Sequence, residues 1–485
     1  MISSQSSSVP LCIDLDGTLI RTDLLYESLA RLLRQKPWLL VMVPLWCLHG
    51  RAALKRKIAQ HISIDVTCLP YNRALLDWLR EQKAAHRRLL LATAAEESLA
   101  KRIADYLGLF DGVVASDGLT NLKGKHKLRA LRKEAGLAFD YAGNSRADLE
   151  IWQHCKNAIT VGVSASLLKR VRESVRNVAI FDARFRDRGS YAAAFRLHQW
   201  AKNVLIYIPL ITAHQILDPI LLVKSSISVL LFSLCSSAQY ILNDLIDLEG
   251  DRRHPKKRTR PFASGSIPLQ AGFIMAPVLL VISVSGALLL SKWFALLLIS
   301  YFVLSFFYSL YLKRIVLLDA FLLSGLYMTR IIAGHLVTGI PFSIWLLSFA
   351  FFLFLSLAFG KRWVELDNLQ RANRVMVGRG YEVGDITQIN LFGVCSAFLS
   401  VVIFILYLQS DKVKEMYKQP ELLWLLSPLF LYWISRIWIL STRGKINEDP
   451  VLFVLKDRVT YAVGLISGLI MFAATADWSG MLFLH

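Results

Sequence analysis

Paired cysteines are absent from this 485-residue sequence, although it contains six cysteines. The six are scattered along the chain without a CxxC pair: Cys12, Cys47, Cys68, Cys155, Cys235 and Cys395. This spacing argues against a zinc site or a disulfide framework and is typical of a reducing compartment. The first ten residues, MISSQSSSVP, lack the basic and apolar regions of a secretory signal peptide, so we expect the soluble part to begin in the cytoplasm.

Acidic residues are also scarce, since 36 of them face 56 basic residues and leave a net charge of +20. With 55% hydrophobic residues and a mean hydropathy of +0.45, the chain is too apolar for a soluble protein and long enough for more than one domain. A basic excess in such a chain fits anionic lipid headgroups and phosphorylated substrates better than nucleic acid. We therefore expect a membrane protein with no nucleic-acid partner.

Apolar runs of membrane-spanning length are missing before about residue 188 and recur after it. This contrast predicts a soluble domain at 1–188 and a membrane domain at 189–485, with the boundary in the charged stretch 187–191. The apolar runs predict about nine transmembrane helices, at 203–221, 222–242, 269–290, 293–312, 316–338, 343–360, 388–410, 421–441 and 460–483. The first is weak, because His214 and Asp218 interrupt it.

Basic residues cluster in alternate connections between these helices, around 252–260, 313–314, 361–379 and 443–458. The positive-inside rule then places the amino-terminal domain and these loops on one side of the membrane. We expect a multi-pass protein of the bacterial inner (plasma) membrane, with the soluble domain and both active sites cytoplasmic and the carboxyl terminus outside.

The stretch ILNDLIDLEGDRRHPKKRTRPFASG ends a long apolar run with acids and then bases. If the helix continues, Asn243, Asp244, Asp247 and Asp251 form one stripe through steps of three and four residues. Carboxylates on one stripe repel each other, and oxygen ligands of this kind suit Mg²⁺, which commonly bridges carboxylates to substrate phosphates. The basic run that follows can hold more phosphate oxygens. The alternative is a solvated helix end whose acids and bases pair with each other.

These residues resemble the NDxxDxxxD motif of the UbiA superfamily, whose members are intramembrane transferases with about nine helices that bind Mg²⁺ and a diphosphate. The resemblance implies an all-α polytopic domain and catalytic, metal-binding roles for Asp244, Asp247 and Asp251, with Asn243 contacting substrate. It extends from Arg196 to the end of the chain.

Four further stretches are similar to the branch that transfers phosphoribose to polyprenyl phosphate, the decaprenyl-phosphate phosphoribosyltransferases. They are RLHQWAKN (196–203), YSLYLKR (308–314), GKRWVEL (360–366) and NEDPVLFVLKDR (447–458). The substrate-binding residues implied here and in the basic run are Arg196, Lys202, Asn203, Arg258, Arg260, Tyr308, Lys313, Lys361, Arg362, Glu365, Asp457 and Arg458. Aromatic prenyltransferases of the superfamily have a second Asp-rich motif where this chain has Lys361, Arg362 and Glu365.

That departure has a physical interpretation. Phosphoribosyl diphosphate has an anionic group at each end, so its 5-phosphate needs an additional cationic site. Lys361 and Arg362 can supply it, with Lys202 and Lys313 as further candidates. The alternative is that the Lys-Arg pair only marks the cytoplasmic end of an apolar helix.

In the soluble part, LCIDLDGTLI (11–20) is an apolar strand pattern that ends in two acids two positions apart. Alternation places Asp14 and Asp16 on the same side of the strand's carboxyl end, where α/β sheets bind ligands. Two such carboxylates suit a nucleophile and a general acid that share Mg²⁺.

The stretch resembles the first motif of the haloacid dehalogenase superfamily, which implies an α/β (Rossmannoid) domain with a small helical cap at about 22–71. By resemblance, Asp14 is the nucleophile, Asp16 protonates the leaving oxygen, Thr93 binds phosphate and Lys127 balances charge. The implied metal ligands are Asp14, Asp16 through its backbone carbonyl, Asn144 and Asp148. Within the cap, the apolar stretch 37–50 is too short to span a bilayer, and lies either on the membrane surface or in the cap interior.

The fourth motif departs from the pattern of the superfamily. YAGNSRADLE has Asn144 where these phosphatases usually place a metal-binding Asp, with Asp148 four residues later. Asparagine can bind Mg²⁺ through its carbonyl oxygen, but it removes one negative charge. We expect an active phosphatase, and an inert regulatory domain is the alternative.

Together the two halves predict a bifunctional enzyme. The membrane domain would join phosphoribosyl diphosphate to polyprenyl phosphate, and the soluble domain would remove the 5-phosphate to leave polyprenyl-phosphoryl-ribose. The alternatives are an aromatic prenyltransferase with an attached phosphatase of separate role, and a lipid-binding or regulatory membrane protein. Arg330 and His335 lie inside a predicted helix and receive no role from the sequence, although intramembrane ionisable groups tend to be functional.

Overall fold

A computed structural model describes residues 9–117, 120–181, 188–371, 380–446, 453–454 and 456–475. The chain divides into two compact units: residues 1–196 with 240–278, and residues 197–239 with 279–485. The boundary that we predicted in 187–191 adjoins 182–187, which lie outside the described residues, as do 447–452 of the fourth membrane-domain motif.

The first unit contains a six-stranded parallel sheet in the order β3-β2-β1-β4-β5-β6. Its strands are β1 (Leu11–Asp14), β2 (Leu89–Glu96), β3 (Gly112–Ser116), β4 (Asp140–Gly143), β5 (Ala158–Val161) and β6 (Val178–Phe181). Chain order reverses between β1 and β4, and ligands bind at the carboxyl ends of strands at such a point. The predicted α/β domain is confirmed.

Helices cover both faces of this sheet, because successive residues of a strand point to opposite sides. Leu11 and Ile13 of β1 pack into one apolar cluster, whereas Cys12 packs into another with Tyr141 and Trp152. The helices outside the cap are α4 (Arg73–Ala84), α5 (Glu97–Leu107), α6 (Lys125–Ala135), α7 (Leu149–Trp152), α8 (Ala165–Ser174) and α9 (Arg188–Phe195).

The predicted cap region is helical. It contains α1 (Leu24–Gln35), α2 (Val43–Leu48) and α3 (Arg51–His61), with 3₁₀ turns at Pro37–Met42 and Val66–Cys68. The apolar stretch that begins at Pro37 is largely exposed: the exposed fraction is 62% for Trp38, 77% for Val41 and 82% for Leu48. Such exposure contradicts the alternative that this stretch is buried in the interior of the cap.

The remaining helices are α10 (Ile208–Thr212), α11 (Pro219–Ile246), α12 (Leu248–Arg253), α13 (Pro261–Ser264), α14 (Leu269–Leu290), α15 (Lys292–Leu310), α16 (Leu318–Thr338), α17 (Ile344–Arg371), α18 (Ile386–Leu408), α19 (Asp411–Met416), α20 (Leu426–Thr442) and α21 (Arg458–Thr475). Short 3₁₀ turns precede α18 at Val383–Asp385 and α20 at Pro420–Leu425. Eight of these segments are long and apolar enough to cross a membrane: α11, α14–α17, α18 and α20 with their preceding turns, and α21.

The first predicted span, at 203–221, is wrong as a continuous helix. Residues Leu197–Tyr207 form a 3₁₀ helix, α10 ends at Thr212, and His214 adopts a positive φ of 56°. The segment is nevertheless packed inside the second unit, since Asn203, Ile206 and Leu210 are buried. Irregular backbone at membrane depth is tolerated where protein surrounds it. The last predicted helix is described only to Thr475, and 476–483 lie outside the described residues.

Candidate active sites

The carboxylate of Asp14 lies at the carboxyl end of β1, where the sheet order reverses. It is 6% exposed, and its Oδ1 accepts a hydrogen bond of 2.7 Å from Nζ of Lys127 on α6. Lys127 Nζ also donates to the Tyr141 hydroxyl at 3.1 Å. The buried ammonium therefore holds the predicted nucleophile in a fixed position and offsets its charge.

The turn after β1 positions Asp16. Gly17 has a φ of +73°, and a Cβ at this position would collide with the side-chain amide of Asn144. Only glycine suits both requirements. Asp16 Oδ1 accepts a hydrogen bond of 2.9 Å from the backbone N–H of Leu24, which ties the second carboxylate to the start of the cap.

Asn144 and Asp148 follow β4, next to β1. Asp148 accepts hydrogen bonds through both oxygens, from the Tyr141 hydroxyl at 2.9 Å and from the backbone and hydroxyl of Ser145 at 2.9 and 2.8 Å. The side chain of Asp148 thus shapes the loop that presents Asn144. The structure brings together five predicted site residues: Asp14, Asp16, Lys127, Asn144 and Asp148.

Thr93 lies on β2 beside this site, but its side chain is fully buried. Its Oγ1 accepts a hydrogen bond of 3.0 Å from the backbone N–H of Ala95. Lys55 lies on cap helix α3, and its Nζ donates a hydrogen bond of 2.6 Å to the Ala94 carbonyl. The sequence did not single out Lys55, because no local pattern connects a cap lysine with the end of β2.

A cavity of about 680 Å³ opens over these residues. Its lining combines the two carboxylates with cations, including Arg21, Arg51, Lys55, Lys123 and Lys127, and with Pro268–Gln270 from the start of α14. Burial raises the pKa of Asp14 to about 6, against the opposing effect of Lys127. Burial, with the charges of Asp23 and Asp14, raises the pKa of Asp16 to about 8.

These raised pKa values mean that the site gains from a further cation when both carboxylates ionise. The available donors are carboxylate and amide oxygens, which suit Mg²⁺ with substrate phosphate and water as the remaining ligands. Among the residues that the structure describes, no three His, Cys, Asp or Glu side chains form a complete metal cage. The Asp14 carboxylate, the Asp16 backbone carbonyl and the Asn144 amide oxygen therefore fit Mg²⁺ as a partial ligand set.

The acidic stripe lies where α11 continues into α12. The backbone N–H of Asp247 donates to Asn243 O at 2.9 Å, and that of Asp251 donates to Asp247 O at 2.8 Å, so the helical register continues across the break at Asp247. Asp244 and Asp251 are each 3% exposed and both bind Nη1 of Arg260, at 3.2 and 2.7 Å. The predicted stripe therefore exists between Asp244 and Asp251.

Arg196 donates a hydrogen bond to the Asp244 carboxylate, and its guanidinium lies 5.0 Å from the ring centre of Tyr240. Arg258 is exposed in the turn Lys257–Thr259. Burial raises the pKa of Asp251, which again indicates a site that favours a cation. Carboxylate oxygens on one helical stripe fit Mg²⁺, with Arg260 as the cation that joins Asp244 to Asp251 in this structure.

Two other arginines of the basic run bind the cap instead of facing the stripe. Arg252 forms two hydrogen bonds to Glu27 on α1, and Arg253 pairs with Asp65. Arg31 on α1 pairs in turn with Glu249. One face of α12 thus contains Asp251, and another forms ion pairs with the cap. The sequence did not predict these ion pairs.

In the second unit, Arg362 is surrounded by carboxylates. Its Nε lies 2.6 Å from Asp319 Oδ2, and its Nη1 lies 2.5 Å from Glu365 Oε2. Nη2 donates to the Tyr308 hydroxyl at 3.3 Å, and the Tyr381 hydroxyl donates to Asp319 at 2.5 Å. The structure thus gives Arg362 two anionic partners within the protein, whereas we predicted a substrate phosphate.

The sequence missed Asp319 as the partner of Arg362. A lone carboxylate in the apolar run VLLDAFLL was the available signal, because such a group in a membrane helix needs a partner. Lys313 lies in the turn Leu312–Arg314, and Lys361 lies beside Arg362 on α17; both side chains are half-buried.

Asp457 and Arg458 are at the start of α21. Asp457 accepts hydrogen bonds from Arg436 at 2.7 and 3.1 Å and from the backbone N–H of Thr460 at 3.0 Å. Asp457 therefore joins α20 to α21, while Arg458 is exposed.

Lys202, Asn203 and Arg330 form a buried polar group between the segment Leu197–Tyr207 and α16. Asn203 Oδ1 accepts from Arg330 Nε at 3.2 Å, and Lys202 Nζ donates to the Tyr327 hydroxyl at 3.0 Å. His335 lies one turn further along, with Nδ1 3.0 Å from Ile340 O. The structure thus connects Arg330, which had no assigned role, with two predicted substrate-binding residues.

The parallel sheet with Asp14 at the end of β1, and the apolar helices that follow it, define a hydrolase-like α/β domain joined to a polytopic membrane domain. Residues 205–456 match the UbiA prenyltransferase family, and residues 11–152 match haloacid dehalogenase-like hydrolase. The chain belongs to the UbiA prenyltransferase family and carries an amino-terminal haloacid dehalogenase-like domain. Both families are generally Mg²⁺-dependent.

The chain is similar to several known proteins, including the following three. Uncharacterized protein y4nM of Sinorhizobium fredii is 38% identical over 94% of this chain and 89% of its own length. A decaprenyl-phosphate phosphoribosyltransferase of Mycobacterium tuberculosis is 36% identical over 37% of this chain and 60% of its own length. A UbiA homolog from Archaeoglobus fulgidus, solved with DMAPP and Mg²⁺, is 17% identical over 59% of this chain and 99% of that chain, with a TM-score of 0.45.

Proposed function

We propose that this chain transfers 5-phosphoribose from phosphoribosyl diphosphate to a polyprenyl phosphate, and that its amino-terminal domain then removes the 5-phosphate. The observation that carries the transferase step is the burial of Asp244 and Asp251 on one helical face beside Arg260, in a chain that is 36% identical to a decaprenyl-phosphate phosphoribosyltransferase over 184 residues. The substrates would be phosphoribosyl diphosphate and a polyprenyl phosphate, with Mg²⁺ as cofactor.

In the transfer step, an oxygen of the lipid phosphate forms a bond to ribose C1 while the bond from C1 to the diphosphate breaks. Positive charge develops on the ribose, and the diphosphate leaves as an anion. Asp244, Asp247 and Asp251 would hold Mg²⁺, which when bound neutralises that anion. Arg196 and Arg260, already beside these carboxylates, would orient diphosphate oxygens.

In the phosphatase step, an Asp14 oxygen attacks the phosphorus of the 5-phosphate, and the bond to the ribose O5 breaks. Asp16, whose pKa is raised to about 8, keeps a proton at neutral pH and can give it to that oxygen. Water then hydrolyses the aspartyl phosphate. Lys127, 2.7 Å from Asp14, offsets the charge that accumulates around the nucleophile.

Two features support a membrane-bound substrate for the phosphatase step. The cavity at Asp14 is lined by Cys47, which belongs to the exposed apolar stretch 37–48, and by Arg51, three residues after it. Its lining also includes Pro268–Gln270, at the start of a membrane-spanning helix. A lipid whose ribose 5-phosphate projects from the bilayer could therefore reach this cavity without leaving the membrane.

One observation favours a second candidate for the soluble domain. Asn144 replaces a carboxylate, and no complete cage of three metal-binding acids or histidines occurs in the described residues. The domain would in that case bind a phosphorylated lipid without hydrolysing it. The aromatic prenyltransferase alternative has no comparable support, because Arg362 and Lys361 occupy the place of its second Asp-rich motif.

The test supplies purified protein with Mg²⁺, radiolabelled phosphoribosyl diphosphate and polyprenyl phosphate, and follows label into the lipid phase by chromatography and mass spectrometry. Wild type should give labelled lipid without a 5-phosphate, and Asp14→Asn should accumulate the phosphorylated lipid. Asp77→Asn, an exposed acid on α4, is the control and should behave as wild type. Unchanged product from Asp14→Asn would exclude the phosphatase step, and no label with any chain length would exclude the transfer.

A further inference from the structure

The cap segment Pro37–Leu48 is apolar on two opposite sides. On one side, Trp46 is buried in a small apolar cluster of the cap, together with residues of α1 and α3. On the other side, a set of side chains spaced by three or four residues is exposed: Trp38, Val41, Leu45 and Leu48, which we call the apolar face. A helix that is apolar all round is typical of a protein interior or a membrane. Since one side already packs in the cap, the apolar face needs a partner of its own.

The charge around this segment is of one sign. No acidic residue occurs in 28–64, whereas seven basic residues do: Arg31, Arg34, Lys36, Arg51, Lys55, Arg56 and Lys57. Arg31 pairs with Glu249, and the other six leave this part of the cap positively charged. Lys36 directly precedes the apolar segment, and Arg51 follows three residues after its end. An apolar face with basic residues around it fits a bilayer surface that contains anionic headgroups.

Contacts within the first unit place this segment close to a membrane-spanning helix. The ring of Tyr26 on α1 contacts that of Phe273 on α14, with 5.9 Å between the ring centres. Cys47 of the segment and Leu269, the first residue of α14, line the same cavity. Because α14 is long and apolar enough to cross a membrane, its first residue marks the level at which a bilayer surface begins. The segment therefore lies near that level.

We propose that Pro37–Leu48 binds the surface of the bilayer, with the apolar face among the upper parts of the acyl chains and the surrounding basic residues at anionic headgroups. The segment is too short to span the bilayer, so it lies in the plane of the surface. The inference goes beyond the proposed function, because contact of the cap with lipid does not depend on which substrate the cavity at Asp14 takes.

The first test measures the depth of the apolar face in the full chain. Replacing the four exposed or half-buried cysteines by serine leaves only Cys12 and Cys235, which are buried. A spin label is then attached at Leu48→Cys or, in a separate protein, at Leu137→Cys, and each protein is placed in nanodiscs with one copy per disc. Electron paramagnetic resonance measures how often the label collides with oxygen, which concentrates in lipid, and with a water-soluble nickel chelate.

Leu137 is a matched control for Leu48. The two side chains are equally exposed, at 83% and 82%. Leu137 lies between α6 and β4, at the amino-terminal edge of the sheet, whereas the cavity at Asp14 and the cap lie at the carboxyl-terminal edge. A label at Leu137 should therefore stay in water.

The label at Leu48 should collide more with oxygen and less with nickel than the label at Leu137. Adding phosphatidylglycerol to phosphatidylcholine discs should enlarge this difference, because the basic residues attract anionic headgroups. Equal accessibility of the two labels in both lipids would overturn the inference. Protection of the Leu48 label only in discs that hold two copies, with dipolar coupling between their labels, would make the face an interface between copies and would also overturn it.

A substitution on the apolar face gives a second test. Val41→Asp introduces a charge at a largely exposed position, so folding should be little affected, which the melting temperature checks. In protein labelled at Leu48, it should raise nickel accessibility severalfold, because a carboxylate is disfavoured among acyl chains. Leu137→Asp is the control and should leave the accessibility unchanged. A Leu48 label that stays in lipid after Val41→Asp would show that the apolar face does not hold the cap there. Neither measurement uses a substrate, so both are independent of the transferase and phosphatase assays.

Discussion

Arg252 and Glu27 form a two-point ion pair, although 225 positions separate them in the sequence. Arg252 Nη2 lies 2.6 Å from Glu27 Oε1, Nη1 lies 3.1 Å from Oε2, and both side chains are more than nine-tenths buried. The pair joins cap helix α1 to α12, which also carries Asp251 of the acidic stripe. The ion pair therefore connects the cap to a helix that contributes to the predicted diphosphate site.

Removal of one member of this pair should destabilise the first unit. Arg252→Met or Glu27→Leu leaves a buried charge without its partner, which costs about 3–5 kcal/mol. The double variant should lose less than the sum of the two, because both charges are then gone. Thermal unfolding of the four proteins in one detergent measures the coupling. Arg80→Met, which breaks an exposed pair with Asp77, is the control and should change stability by less than about 0.5 kcal/mol.

Local patterns were sufficient to predict part of this fold. The alternating LCIDLDGT identified β1 and placed Asp14 and Asp16 at its end, and the three- and four-residue steps of NDLIDLEGD predicted the stripe that Arg260 joins. Periodicity within one element carries such information, since neighbours along a strand or helix fix which side chains share a face. The apolar runs likewise gave the approximate positions of α14 to α18 and α20.

Contacts between distant elements could not be predicted in the same way. The sequence placed Arg252 and Arg253 in a phosphate-binding run. In the structure they pair with Glu27 and Asp65 of the cap, and no local pattern connects these residues. The same holds for Arg362 and Asp319. The failed span at 203–221 has a local cause as well, because Pro209 lies in the first turn of the short helix α10 and the segment packs closely against Gly334 of α16.

Arg260 and Arg258 offer a comparison within one basic run. Arg260→Ala should destabilise the protein in EDTA by about 2 kcal/mol or more, because two buried carboxylates, Asp244 and Asp251, lose a shared cation. Arg258→Ala should leave stability within about 0.5 kcal/mol, since its side chain is exposed. Melting temperatures with and without Mg²⁺ test this, and Mg²⁺ should restore Arg260→Ala more than it stabilises wild type. Equal effects of the two substitutions would contradict the shared-cation arrangement.

The raised pKa values of Asp14 and Asp16 predict how pH affects stability without metal. Burial, chiefly, places these values at about 6 and about 8, above the unfolded value of about 3.9. Between about pH 4 and pH 8 the folded protein then binds more protons than the unfolded protein. The free energy of unfolding in EDTA should therefore fall as pH rises from about 4 to about 8. Mg²⁺ should oppose the loss most strongly at the upper end, because it binds the ionised carboxylates.

Asp16→Asn provides the comparison for this pH dependence. It keeps the oxygen that accepts the Leu24 hydrogen bond but removes the titrating proton. The difference in melting temperature between wild type and this variant should therefore grow with pH in EDTA and shrink when Mg²⁺ is added. A difference that is independent of pH would show that Asp16 is not protonated in the folded protein at neutral pH.

Gly334 and Gly325 on α16 give a matched test of how the irregular segment Leu197–Tyr207 is held. A Cβ on Gly334 would collide with the Ile206 carbonyl and contact the Pro209 ring at 3.0 Å, whereas a Cβ on Gly325 would meet nothing within 4 Å. Gly334→Ala should destabilise the second unit by about 1–3 kcal/mol, because backbone must shift to admit the methyl group. Gly325→Ala should be neutral or stabilise by up to about 1 kcal/mol, since alanine favours a helix. Melting temperatures measure both effects, and equal behaviour of the two variants would show that the segment is not held by this close contact.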